Sequence, residues 1–186
     1  MDLSAAHLHV ALVHLPMIGV GAAAIPLIVG LILKNRACTD TGLWMLVVFG
    51  WSIAAVMSTG ETAKELAEQG LGIAPYLDEA AWGIMDRHYD EAEVYAKLVY
   101  LTAALASIAI VLRWFKKVAW QKPVAWLAAV AAVVSVPGMV YVAMSGGQIR
   151  HPEFRPPPTE QIEQAAPAAE TGVGEREHEE EGHEHE

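Results

Sequence analysis

The chain has 186 residues, 54% of them hydrophobic and only 18% charged, and its formal net charge is −10. That charge is unevenly placed: residues 1–150 hold 10 Lys/Arg and 11 Asp/Glu, whereas residues 151–186 hold 2 and 11, so a nearly neutral apolar body precedes an acidic tail. A nucleic-acid binder with a basic face is excluded, and the single cysteine, Cys38, excludes an internal disulfide and any cysteine-rich metal or iron–sulfur site.

The first apolar run follows Met1-Asp2-Leu3-Ser4, with no Lys or Arg before it. A secretory signal needs a basic start and a small-residue cleavage site, so the run is expected to be a retained span. Residues 15–33 carry no charge, and these 19 residues cover roughly the 30 Å hydrocarbon thickness of a bilayer. Residues 42–58 form a second uncharged run, and Leu98 to Leu112 a third, which lengthens if Lys97 and Arg113 snorkel outward. A fourth lies within Pro123 to Ile149. The expected spans are about 9–33, 42–58, 94–115 and 124–145. Such runs have scarcely a charged face, so they lack the amphipathic period of a soluble bundle. Gly19 and Ala23, Ala103 and Ser107, and Ala128 and Ala132 stand four apart, as in close-packed membrane helices. Pro16, Pro26 and Pro137 fall inside the runs, where proline kinks a helix and frees a carbonyl.

Lys34 and Arg36 follow the first span, and Arg113, Lys116, Lys117 and Lys122 follow the third, which assigns both loops to the inside. Both termini and the acidic loop between spans 2 and 3 then lie outside, as for a multi-pass protein of a bacterial inner membrane. Trp44, Trp114, Trp120 and Trp126 fall near the inner interface as an aromatic belt. In the outer loop, Thr62-x-x-Glu65 has the form of a capping box and predicts a short helix over Ala63 to Gln69, ended by Gly70 and Gly72. A second helix is expected from Leu77 or Asp78 through His88 into span 3. After Gly146-Gly147 the chain turns polar and is expected to fold back over the mouth of the bundle. The predicted fold is all-α: a four-span membrane domain over 1–153 and a disordered Pro/Glu/His-rich tail over 154–186.

All eight histidines fall on the side that Lys and Arg assign to the outside. His7, His9 and His14 open span 1, His88 precedes span 3, His151 follows span 4, and His178, His183 and His185 are in the tail. His7 and His14, seven apart, share a helical face about 10 Å from each other, and His9 points nearly oppositely. His14 is already inside the apolar run, and an ionisable group in a membrane is a functional candidate; its plain alternative is a neutral imidazole bonded to a carbonyl or to Glu61. Glu61 lies where span 2 emerges, Glu91 is one turn from His88, and Glu153 is next to His151 in sequence space, two residues on.

Three segments, His9-Val10-Ala11-Leu12-Val13-His14-Leu15-Pro16, Thr59-Gly60-Glu61-Thr62-Ala63-Lys64-Glu65 with the later Arg87-His88, and Gly146-Gly147-Gln148-Ile149-Arg150-His151-Pro152-Glu153, resemble a family of uncharacterised bacterial four-span integral membrane proteins. The resemblance covers residues 7 to 153. It implies the four-span architecture and carries no catalytic assignment. The family's frequent Phe is Leu15 here.

Three functions compete. The first is a b-type haem or redox-metal protein serving electron transfer, with His14 paired to His88 or His151; Met17, Met57 and Met144 are candidate axial ligands, although helical methionines more often fill gaps. The chain lacks a Cys-x-x-Cys-His motif, so any haem is non-covalent. The second is a non-haem Zn, Cu, Ni or Fe site, binding or sensing, built from His14, His88, His151 and Glu61 with Glu91 or Glu153, the tail histidines collecting divalent ions weakly. The third is an accessory subunit without cofactor. The acidic exterior suits a basic soluble redox partner or a membrane partner. Hydrolase motifs and a Gly-rich phosphate loop are absent from the sequence, so no nucleotide is expected.

Overall fold

The structure, a computed structural model, describes residues 5–156. The expected disordered tail and its His178, His183 and His185 lie outside the described residues. The chain divides at Phe154, and residues up to that point form one unit. Helix α1 runs over Ala5–Ile32, α2 over Arg36–Trp51, α3 over Ile53–Glu68, α4 over Glu79–Trp114 and α5 over Val118–Arg150, with short 3-10 turns at Ala74–Tyr76 and Pro152–Phe154. Helices α2 and α3 are one span interrupted at Ser52, so four helical stretches are long and apolar enough to cross a membrane. All described secondary structure is helical.

The distribution of residues across this bundle is compatible with a protein solvated by lipid. Its interior is made of small side chains: Ala23, Ala103, Ala106, Ala109, Ala125, Ala128 and Ala132 are fully buried, with Leu27, Leu43 and Leu46 as the largest side chains among them. Its exterior carries large aliphatics such as Ile18, Ile25, Val48, Val111 and Val130. A water-soluble bundle puts its big apolar residues inside and does not leave them as an outer coat. Small residues let helix backbones approach in a bilayer, where apolar burial drives nothing. At Gly42 a Cβ would come within 2.5 Å of the Leu27 backbone nitrogen, which measures how closely α1 and α2 approach. The integral membrane architecture expected from the sequence is compatible with all of this.

The chain is two helical hairpins of the same design. In the first, α1 ends at a turn where Lys34 takes a left-handed φ of 54° and Asn35 N–H donates to the Gly30 carbonyl at 2.8 Å. In the second, α4 ends where Lys116 has the same φ of 54° and Lys117 N–H donates to the Leu112 carbonyl at 2.8 Å. Both are Schellman closures, which satisfy the last carbonyls of a helix with a left-handed residue beyond it. Asn35 then caps α2 by accepting from Cys38 N–H at 3.2 Å, and an ion pair between Arg113 and Asp40 ties the hairpins together at this end. In mid-bundle the buried hydroxyls of Thr102 and Ser135 meet at 3.2 Å. At the opposite end Lys64 of α3 reaches Asp86 of α4 at 2.8 Å and lies over the Tyr89 ring.

Two local expectations change. The break near Thr59–Thr62 does not occur: the Thr62 hydroxyl donates to the Ser58 carbonyl at 2.9 Å within an unbroken α3, so Thr62 is not an N-cap. The interruption lies earlier, at Ser52, whose hydroxyl donates to the Phe49 carbonyl at 2.6 Å. Hydroxyl bonding back to the preceding turn competes with the helical ladder there. Likewise α5 does not turn back at Gly146-Gly147 but continues to Arg150, because a glycine pair lowers helix propensity without forbidding the conformation. The other helix ends fall as expected: Gly70 and Gly72 take φ of 77° and 62° beyond α3, and Asp78 caps α4 by accepting from Ala81 N–H at 2.8 Å.

Candidate functional site

Both described termini lie at one end of the bundle, since four spans return the chain to the side where it began. At that end His9 of α1 and His88 of α4 stand with ring centroids 6.4 Å apart and ring planes at 90°. Both line a cavity of about 60 Å³ between the hairpins. The rest of the lining is apolar apart from Tyr95 and includes Met17, Met57 and Met139.

Each imidazole is held in one tautomer by the helix it leans on. His9 Nδ1 is 2.9 Å from the Val56 carbonyl, and a carbonyl only accepts, so Nδ1–H is the donor. His88 Nδ1–H donates to the Val142 carbonyl at 3.0 Å and lies 3.1 Å from the Ser145 hydroxyl, which donates to that same carbonyl at 2.9 Å. The Thr59 hydroxyl is placed similarly, its one proton shared between the Ala55 carbonyl at 2.8 Å and the Val56 carbonyl at 3.0 Å. In the neutral form both rings therefore keep their lone pair on Nε2.

The two carbonyls each stand four residues before a glycine, Gly60 and Gly146. A Cβ at either position would lie 2.9 Å from Cε1 of the imidazole resting there, so a larger residue would push the ring off its carbonyl. The local sequences are Val56-Met57-Ser58-Thr59-Gly60 and Val142-Ala143-Met144-Ser145-Gly146. Both read Val-x-x-(Ser/Thr)-Gly. The pattern makes a seat: a carbonyl to accept, a hydroxyl to polarise it and a missing Cβ to make room. Sequence reading singled out both glycines, as parts of turns, but did not see that they end a repeated pentapeptide, which was the available signal.

The other candidates are distributed around this pair. His7 and His14 share the outward face of α1, opposite His9; His14 is exposed, and its Nδ1 donates to the Val10 carbonyl of its own helix at 3.0 Å. His151 is exposed and pairs with Glu153 at 3.0 Å, stacked against Phe154. The structure thus brings His9, and not His14 or His151, to His88. Glu61 is exposed on α3. Glu91 is one turn from His88 on α4: one oxygen accepts from the Tyr141 hydroxyl at 2.9 Å and lies 3.8 Å from Arg87 Nε, while Oε2 is buried without a hydrogen-bond partner. Met144, 64% exposed, is off the cavity, and Met139 of the same helix lines it instead. Among the described residues no three His, Cys, Asp or Glu side chains converge as in a carboxylate–imidazole metal site.

The segments 9–16, 59–65 and 146–153 meet here, contributing His9, Gly60 and Gly146 around His88. No family model, curated protein or solved structure matches the chain.

Proposed function

We propose that the protein is an integral membrane redox-metal protein that holds a transition-metal ion between His9 and His88 at the outer end of the bundle and exchanges electrons there with a partner. One observation carries this reading: two imidazoles from different hairpins face one cavity, each with Nδ1–H spent on a backbone carbonyl. Metal-ligating histidines are oriented in this manner, since a hydrogen bond at one ring nitrogen fixes the lone pair on the other. Two metal–nitrogen bonds of about 2.0 Å and two ring radii of about 1.1 Å place the centroids about 6.2 Å apart when the nitrogens lie in line across the ion and about 5 Å apart at a tetrahedral angle; the observed 6.4 Å is that of a near-linear pair, which closes slightly where further ligands join. Perpendicular ring planes are compatible with one ion, because a metal–nitrogen bond sets no relation between the two ring planes and each plane is fixed by its own carbonyl. The acidic outer loop suits a basic soluble partner, by steering.

The same pair also supports a second reading, as the axial ligands of a b-type haem. Volume favours the ion: the cavity is about 60 Å³, whereas pockets for organic ligands start at roughly 300 Å³, so a macrocycle would have to part the helices.

The test is elemental analysis of detergent-purified protein together with its oxidised and dithionite-reduced absorption spectra. About one metal ion per chain without a Soret band supports the ion. A Soret band with a sharp reduced α band replaces it by haem, and the absence of both overturns the proposal in favour of an accessory subunit.

A further inference from the structure

Resting on the His9–His88 reading, we infer that the ion is copper, bound as Cu(I), and that the thioethers of Met17, Met57 and Met139 complete its site. The donor inventory selects the metal. Zn(II) and Fe(II) sites are built from several imidazole, thiolate or carboxylate ligands, and among the described residues no third such group joins the two histidines. What joins them in the cavity wall is methionine, one from each of α1, α3 and α5. Thioether sulfur is a soft, neutral donor that favours Cu(I) and adds little for the harder divalent ions. The closed-shell Cu(I) ion also accepts a low coordination number, which two imidazoles and one or two sulfurs satisfy.

Charge points the same way. Imidazole and thioether are neutral, so the apolar cavity must accept the whole charge of the ion, and the cost of burying a charge rises steeply with its size. A monovalent ion is the least expensive metal guest. Glu91, on α4 one turn beyond His88, offers partial compensation along that face, with a buried Oε2 that no hydrogen bond engages, while its other oxygen lies 3.8 Å from Arg87 Nε. Each of the three methionines is unbranched and adaptable, so its sulfur reaches an ion at small cost in packing.

The experiment compares Cu(I), delivered anaerobically in competition with bicinchoninate, and Zn(II), in competition with a chromophoric chelator. It uses the full chain and three variants: Met57→Leu/Met139→Leu, Met17→Leu/Met57→Leu/Met139→Leu, and His9→Ala/His88→Ala. Leucine for methionine nearly conserves volume, so the fold survives, and circular dichroism checks it. The expected result is that the unaltered chain prefers Cu(I), that the methionine variants bind Cu(I) at least about tenfold more weakly with Zn(II) binding unchanged, and that the histidine variant binds neither. Methionine variants that hold Cu(I) as tightly as the unaltered chain, or an unaltered chain that prefers Zn(II), overturn the copper assignment and leave the histidine site standing. Binding of neither metal by the unaltered chain overturns both.

Discussion

The first hairpin and the second present the same device with unequal support. In each, a histidine on the leading helix donates to a valine carbonyl on the returning helix and rests in the space a glycine leaves. His88 sits ten residues inside α4, and the Ser145 hydroxyl lies within 3.1 Å of its ring nitrogen. His9 is in the second turn of α1, is only partly buried, and has the Val56 carbonyl as its ring-nitrogen partner. The returning helices differ too, since α5 runs through Pro137 without interruption whereas the first hairpin breaks at Ser52 between α2 and α3. The comparison teaches that one half of the site is fixed by its surroundings and the other half is free to give way. A repeated motif therefore does not imply equal responses to equal mutations.

The largest expected effect is common to both halves. His9→Ala and His88→Ala should each reduce bound metal from about one ion per chain to none, because either change leaves a single imidazole in an apolar cavity. His14→Ala should leave occupancy unchanged. Elemental analysis of the three purified variants measures this, and loss of metal only in His14→Ala would break the comparison at its root.

The glycines sharpen it. Gly60→Ala and Gly146→Ala both place a methyl group against an imidazole, yet the outcomes should differ in kind. His9, near a helix start, swings off its carbonyl, so Gly60→Ala should weaken metal binding about 10–100-fold with a small change in stability. His88 is enclosed on both sides along α4, so Gly146→Ala should cost about 1–3 kcal/mol of overpacking and less affinity. Chelator titration and thermal unfolding in detergent separate the two, and identical behaviour would show that the halves are mechanically equivalent. A smaller effect belongs to Ser145→Ala, which removes a hydroxyl from the shared Val142 carbonyl and should cost about 0.5–1.5 kcal/mol. The smallest is Thr102→Val, where the lost contact with Ser135 should cost about 0.6 kcal/mol, the average for interhelical hydrogen bonds in membranes.

Much of the architecture was legible because a bilayer demands uncharged runs of a set length, and four such runs are visible in the sequence. The site was legible only in part. Helical periodicity placed His7 and His14 on one face and His9 on the other, as found, but periodicity does not say which face turns inward. Depth in the apolar run pointed to His14. The deciding phase lay in the packing residues already identified: Ala23, Pro16 and His9 are seven apart, and Ala23 and Pro16 are both buried. Counting back from the residue that packs leads to His9, and His14 falls off that stripe. The seats were harder to see, because a carbonyl acceptor has no letter of its own in a sequence; only the glycine that exposes it does. The expected helix start at Thr62 was misjudged for a related reason, since a Thr-x-x-Glu pattern caps a helix only if the backbone has left the helix before it, and α3 runs through Thr62 without a break.

X-ray absorption at the edge of the bound metal tests the central claim most directly, that each hairpin supplies one imidazole to a single ion. The account predicts two imidazole nitrogens at about 2.0 Å, identified by their outer-shell multiple scattering, falling to one or none in His9→Ala and in His88→Ala reloaded with excess metal. A spectrum with no imidazole, or with two that persist in both variants, would contradict it.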